Sequence, residues 1–397
     1  MTVFGLSSHV LTAASRRAAA LGLASLILLG CRAALPATAQ PAAGPPISAA
    51  DSNFAVDLRT IPSVVYKEED GTWGPSGTES WSFAVLVREA HDRTVRPVSA
   101  TMDLMSGAER VRRVELSGAE VEAVQGRRYA GSLFRQEELF DLAHHGTAPH
   151  ALDVDHLVYT LVWEADGDTT ASRLEIPLRR YTPKTELVFP LAGPFMIAAG
   201  HAFDEEHIGS WSQDFADDII ALGDRYDVLR DPAGTTNEDL HTWGAEVLAP
   251  AAGTVVYARN DVPDNPFGEF DFQTIRALPD PLRAIGGNHV VIDHGNGEFS
   301  FLGHLALGSA RVEAGDTVEQ GEVLGLVGNS GSSSGPHLHY HLMDGPTLYR
   351  DNGLPTRFTN VVDAMLVPEG ERTAVPNPKR GAFLFATPLG IETSGSE

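Results

Sequence analysis

The sequence contains a single cysteine, Cys31, in 397 residues. An internal disulfide is therefore impossible, and any stability outside the cell has to come from packing. Positive charge is scarce as well: 29 Lys and Arg against 53 Asp and Glu leave a net charge of −24. A chain this acidic gains nothing from phosphate backbones or anionic membrane surfaces, so neither is an expected partner. The apolar run Ala18 to Leu29 is too short to span a bilayer as a mature helix. Apolar residues make up an ordinary 43% of the chain, and the length suits two domains.

The apolar run follows Arg16-Arg17, the pattern of an export signal. It ends in Leu28-Leu29-Gly30-Cys31, which resembles a bacterial lipobox. The alternative is an incidental cysteine with cleavage after Ala37-Thr38-Ala39. Because cysteine is avoided everywhere else, residues 1–31 are read as a lipoprotein-type export signal. The expected location is the periplasm or cell envelope, with membrane contact only through a lipid on Cys31.

Residues 32–50 are rich in Ala and Pro and read as a tether. Residues 51–185 carry short alternating strands such as Ser80 to Val87 and Leu157 to Trp163. They predict an immunoglobulin-like β-sandwich, interrupted by one helix over Gln136 to Leu142. Its histidines His144, His145, His150 and His156 lack ligand-like order and are read as loop and surface residues. Residues 186–367 form a second β-rich unit. Asp293-His294-Gly295-Asn296-Gly297 gives it an Asn-Gly hairpin signal. The proline-containing insertion Asp261 to Gly287 is too long for a plain hairpin loop and is expected to border a cleft. Residues 368–397 are expected to be loosely ordered. The fold class is thus mainly β throughout.

Chemistry concentrates in Pro336-His337-Leu338-His339-Tyr340-His341, after a Gly/Ser-rich turn. Alternate side chains of a strand share a face, so His337 and His339 stand together as half of a metal site. A catalytic zinc needs about three protein ligands and an open position. The best carboxylate lies in Phe215-Ala216-Asp217-Asp218-Ile219-Ile220, an acidic pair inside an apolar run. One of the two must point inward, which is costly without a partner or a metal, and Asp218 is taken. The third ligand should be a histidine shortly upstream, His201 or His207. His304 and His337 are candidates for taking a proton from water.

Residues from about 196 to 345 resemble the lysostaphin/LytM-type zinc metallopeptidases, mostly bacterial cell-wall endopeptidases. The resemblance rests on Val247 to Val256, Gly287 to Gly297, Gly303-His304-Leu305, Gly315 to Gly321, and Gly328 to Gly331 through Pro336-His337-Leu338-His339. It implies an antiparallel β metallopeptidase domain with zinc in a groove. It implies further that His339 and Asp218 bind zinc and that His337 and His304 are catalytic. The common family motif has a histidine four residues before the aspartate, where this chain has Asp214. Relatives with the histidine displaced upstream imply His207 as the ligand, with His201 as the fallback.

The implied function is a zinc-dependent endopeptidase acting outside the cytoplasm, its substrate a peptide of peptidoglycan. Two alternatives are a catalytically inactive binding module that activates other wall hydrolases, and a peptidase of secreted proteins. The acidic charge leaves room for the last, since an anionic wall favours a basic binder.

Overall fold

The computed structural model describes residues 56–69, 77–89, 96–124, 140–165, 167–200, 207, 211–348, 350–363, 372–376, 378 and 383–387. The export signal, Cys31, the tether, His201 and the last ten residues lie outside the described residues. Among the described residues the chain is mainly β and its sheets are largely antiparallel.

The N-terminal unit contains β1 (Val56–Ile61), β2 (Val65–Glu69), β3 (Thr78–Glu89), β4 (Arg96–Ser106), β5 (Glu109–Ser117), α1 (Gly118–Val124), β6 (Phe140–Pro149), β7 (His156–Ala165) and β8 (Asp168–Arg179). Alternation buries Trp81, Phe83, Val85 and Val87 of β3 in one core with Leu157, Tyr159, Leu161 and Trp163 of β7. The immunoglobulin-like pattern expected here is not established, because the two halves share a strand. Val65 and Tyr66 of β2 run parallel to Leu178 and Arg179 of β8. Lys67 to Glu69 of the same strand pair antiparallel with β3. One eight-stranded sheet results, ordered β1-β3-β2-β8-β7-β4-β5 with β6 on β3. Of the helix expected over Gln136 to Leu142, Phe140–Leu142 instead belong to β6, and Gln136 to Leu139 lie outside the described residues; among the described residues this unit's α-helix is α1. His144 and His145 likewise lie in β6, not in a loop.

The second unit is built on a ten-stranded sheet, ordered β15-β12-β13-β14-β17-β10-β9-β20-β19 with β18 on β17. Its strands are β9 (Gly193–Ala199), β10 (Asp217–Ala221), β12 (Gly253–Arg259), β13 (Asn288–Asp293), β14 (Phe299–Leu305), β15 (Thr317–Val318), β17 (Leu338–Met343), β18 (Gly353–Leu354), β19 (Val361–Asp363) and β20 (Phe383–Ala386). A separate ladder joins β11 (Glu246–Leu248) to β16 (Val323–Leu326). β13 and β14 form the hairpin that the Asn-Gly signal predicts. The insertion holds two short helices, α2 (Phe272–Ala277) and α3 (Pro281–Ala284). Asp271 caps α2 by accepting a hydrogen bond from Gln273 N.

Period-two alternation decides which face of the central strands is apolar. On β17, Leu338, Tyr340 and Leu342 enter the main core with Ile219, Ile292 and Leu302. His339 and His341 therefore stand on the opposite face. The tail expected to be loose is corrected over Phe383–Ala386: this segment is β20, hydrogen-bonded to β9 on one side and β19 on the other.

The two units touch through Glu298, just before β14. Its buried carboxylate accepts hydrogen bonds from Tyr181 Oη, Lys184 N and Thr185 N, the last two at 2.8 Å. Arg357 pairs with Glu68 of β2, and Tyr66 packs edge-on against Tyr181.

Candidate metal centre

Three adjacent strands set the site. β10 and β17 are antiparallel neighbours whose register puts Asp218 directly opposite His339. β14 flanks β17 on the other side with Gly303 opposite His339, so His304 follows at the edge of the same rung. His337 immediately precedes β17, and His207 lies ahead of β10 in sequence and reaches the same place. All five residues singled out from the sequence converge.

His339 Nδ1 is 2.8 Å from Asp218 Oδ1, His337 Nε2 is 3.4 Å from the same oxygen, and His207 Nε2 is 3.4 Å from Asp218 Oδ2. One ligand atom from each of His207, Asp218 and His339 falls within 4.8 Å of the others; His304, His337 and His339 meet the same criterion. All are buried. Asp218, the member of the acidic pair taken from the sequence, is the one at the site, and Asp217 is fully buried as well. Asp217 is packed on its other side by Gly200, where any Cβ would meet its carboxylate.

The residues fit a divalent cation on their own chemistry. Asp218 Oδ2 and His337 Nε2 are buried and form no hydrogen bond of good geometry. A buried carboxylate left that way is costly, and a metal relieves the cost. Two imidazoles and one carboxylate are a zinc donor set with a position to spare. As a ligand His339 would use Nδ1, leaving its Nε2–H to donate to His341 Nδ1 at 3.0 Å. His341 lies on the same face of β17 and would support His339 as a ligand; it stacks on Phe301 with ring centroids 4.7 Å apart.

Two histidines are fixed by carbonyls. His304 Nδ1 lies 2.8 Å from Ser330 O and His337 Nδ1 2.9 Å from Gly335 O. A carbonyl only accepts, so both rings carry hydrogen on Nδ1 and turn Nε2 to the site. His304 has φ +59, a left-handed conformation that is strained for a residue with a Cβ. Main-chain bonds hold it there: its N–H donates to Gly286 O at 3.0 Å and its carbonyl accepts from Gly328 N at 2.9 Å.

Electrostatics separates these groups. Burial raises the Asp218 carboxyl, but the rings of His207 and His337 outweigh it and leave the pKa well below the usual carboxylate range. Burial pushes His304 well below the ordinary histidine value, and His337 and His339 push it the same way. For His337 burial acts downward too, but the Asp218 carboxylate wins and the pKa is raised. Without a metal, His304 is thus the harder and His337 the easier of the two rings to protonate.

Sequence reasoning missed the supports. The insertion does not merely border a cleft: Asp264 and Asn265 clamp the Gly/Ser-rich loop that carries His337. Asn265-Pro266 signals a turn, but nothing in the sequence pairs it with a loop more than sixty residues on. Gly287, with φ +66, lets that loop approach, because a Cβ there would lie 2.4 Å from Ser330 O. A third group, Glu69, Glu79 and His150 of the N-terminal unit, also brings its ligand atoms within 4.8 Å of one another. Lys67 and Arg180 already neutralise Glu79, so it offers no cation site.

Residues 238–351 match the model of Peptidase family M23. Over that span the chain is similar to the M23 peptidases. The matched span takes in His304, His337 and His339 and begins downstream of His207 and Asp218. The chain is 42% identical over 134 residues to the DD-carboxypeptidase/endopeptidase Mpg of Neisseria meningitidis, covering 33% of this chain and 25% of that protein. It is 46% identical over 57 residues to the peptidoglycan DD-endopeptidase ShyA of Vibrio cholerae, covering 14% and 13%. The chain thus aligns with about a quarter or less of the length of these relatives. Among solved structures, the catalytic domain of lysostaphin from Staphylococcus simulans is 21% identical, covering 32% of this chain and 84% of that one, with a TM-score of 0.20. Global similarity that low carries no weight for the site, which stands on its own geometry.

Proposed function

We propose that the protein is a zinc-dependent endopeptidase that hydrolyses peptide bonds of peptidoglycan outside the cytoplasm. The observation that carries this reading is the juxtaposition of Asp218 and His339 across β10 and β17, with His207 in reach of both and His304 and His337 alongside. His207, Asp218 and His339 would hold the metal. Zinc bound there supplies Lewis acidity, acidifying a water and polarising a peptide carbonyl. His304, with its Nδ1–H committed to Ser330 O, offers Nε2 to take the proton of the attacking water. His337, anchored through Gly335 O, donates toward the oxygen on which charge develops. The peptidoglycan substrate is supported by the names of the aligned relatives and by the family resemblance.

Two variants test the assignment. His339→Ala should lose zinc and cleavage together. His304→Ala should keep most zinc and lose turnover by about 100-fold or more, as removal of a general base does. Zinc content by mass spectrometry, read beside cleavage of purified sacculi, decides it; an active His304→Ala enzyme would overturn the roles. A well-folded wild-type protein without zinc would favour the binding-module reading. The charge of −24 favours trying secreted-protein substrates beside sacculi. A Gly-rich peptide cleaved while sacculi stay intact would move the substrate to that class.

A further inference from the structure

Both histidines beside the candidate ligands are aimed by carbonyls of one loop, Asn329 to Gly335; Asp264 of the insertion takes the Asn329 N–H, and the neighbouring Asn265 holds the loop's carbonyls. Asn265 Nδ2 donates to Asn329 O at 3.0 Å, Gly331 O at 2.8 Å and Ser333 O at 2.8 Å. Its two N–H bonds are shared among three carbonyls, and its main-chain N–H takes Asn329 O as well, at 2.9 Å. Its own carbonyl accepts from Asn237 Nδ2 at 2.8 Å and Asn329 Nδ2 at 3.0 Å, anchoring it from both sides. With carbonyls 329, 331 and 333 drawn to Asn265, the intervening Ser330 carbonyl turns the other way, onto His304 Nδ1. The same loop ends with Gly335 O on His337 Nδ1. Ser333 ties the two ends together, its single hydroxyl hydrogen shared between Asn329 Oδ1 at 2.6 Å and Gly335 O at 2.9 Å.

We propose that Asn265 is a positioning residue for His304 and His337, acting through the carbonyls of the Asn329–Gly335 loop. The proposal rests on the peptidase reading for its catalytic consequence, though not for its structural one. An amide suits the task because it is neutral and offers two donors to a row of acceptors. A carboxylate of the same shape would face three carbonyls with no hydrogen to give. Without the amide, Ser330 O and Gly335 O lose their fixed directions, and both rings lose the contacts that set tautomer and aim.

The test compares wild type with Asn265→Asp in the full, zinc-loaded chain. Asn265→Ala serves if the carboxylate prevents folding, and Gln273→Ala, exposed on α2, is the control. Nitrogen–proton spectra should show slowly exchanging Nδ1 protons on His304, His337, His289 and His294, all held by carbonyls. In Asn265→Asp the signals of His304 and His337 should vanish while those of His289 and His294 persist. On a cross-linked muropeptide kcat should fall about tenfold or more, with KM within about twofold and zinc content unchanged, the pattern of misplaced groups at an intact metal site. Retention of the His304 and His337 signals, or a wild-type kcat, overturns the proposal. If the wild type itself fails to cleave, the peptidase reading falls, and the proton signals still decide the role of Asn265.

Discussion

At the scale of single residues, the site depends on which nitrogen of each ring is spoken for. His339 has neighbours on both nitrogens, Asp218 at 2.8 Å and His341 at 3.0 Å. As a ligand it must give its lone pair from one and its hydrogen from the other, and His341 Nδ1 is the acceptor that fixes the choice. Burial lowers the pKa of His341 well below the usual value, so the ring stays neutral and able to accept. His341→Leu should therefore weaken zinc binding by about 10–100-fold without unfolding the protein, measured by competition with a chelator. His341→Gln, which can still present an acceptor, should recover part of the loss. Unchanged affinity in His341→Leu would show that packing alone orients His339. The ligand half of this arrangement is legible in the sequence, because strand alternation alone sets His337, His339 and His341 apart from Leu338 and Tyr340. The tautomers are not legible, since they depend on carbonyls from a loop whose course no local pattern predicts.

At the scale of elements, the ligand face of the sheet is backed by a column of rings that crosses four strands. Tyr257 of β12 stacks on His289 of β13 at 5.0 Å, His289 on Phe301 of β14 at 4.8 Å, and Phe301 on His341 of β17 at 4.7 Å. Arg283 of α3 caps the outer end, 4.1 Å from the Tyr257 ring. Desolvation holds the pKa of His289 down to about 4, so it serves in the column as a neutral aromatic ring. Phe301 is the middle member, 1% exposed, and Gly286 and Gly303 have no Cβ because its ring fills the space. Phe301→Ala should cost about 3–5 kcal/mol in urea unfolding, the usual range for a buried aromatic. A loss under about 1 kcal/mol would mean that the column is incidental. Individual strands and the Asn-Gly hairpin can be seen in the sequence, because each is local. The column cannot, because it needs the register of four strands at once. The shared strand β2 was hidden for a similar reason: five residues divided between two partners carry no signal of being divided.

For the whole molecule, the joint between the two units is a titrating one. Burial raises the Glu298 carboxyl, but hydrogen bonds from Thr185, Tyr181 and Lys184 outweigh it, and the net shift is downward. A carboxylate with a depressed folded pKa adds stability above its unfolded value of about 4.3, and that stability fades as pH falls through the folded pKa. Wild type should therefore be more stable than Glu298→Ala at pH 7, and the gap should narrow below about pH 4. Urea midpoints at both pH values check this; a gap that is flat or grows in acid would remove Glu298 from the joint. The sequence suggests two units but not the joint, whose donors and acceptor lie more than a hundred residues apart. One consequence concerns where the polypeptide can be cut. Strand β20 lies between β9 and β19, and β9 is the immediate neighbour of the strand bearing Asp218. A truncation near Pro368, natural by proteolysis or made by design, would strip β9 of its outer partner. A bare row of amides and carbonyls would then lie one strand from the aspartate, ready to capture a strand from another molecule. Such a shortened protein should self-associate in light scattering while the full-length chain does not.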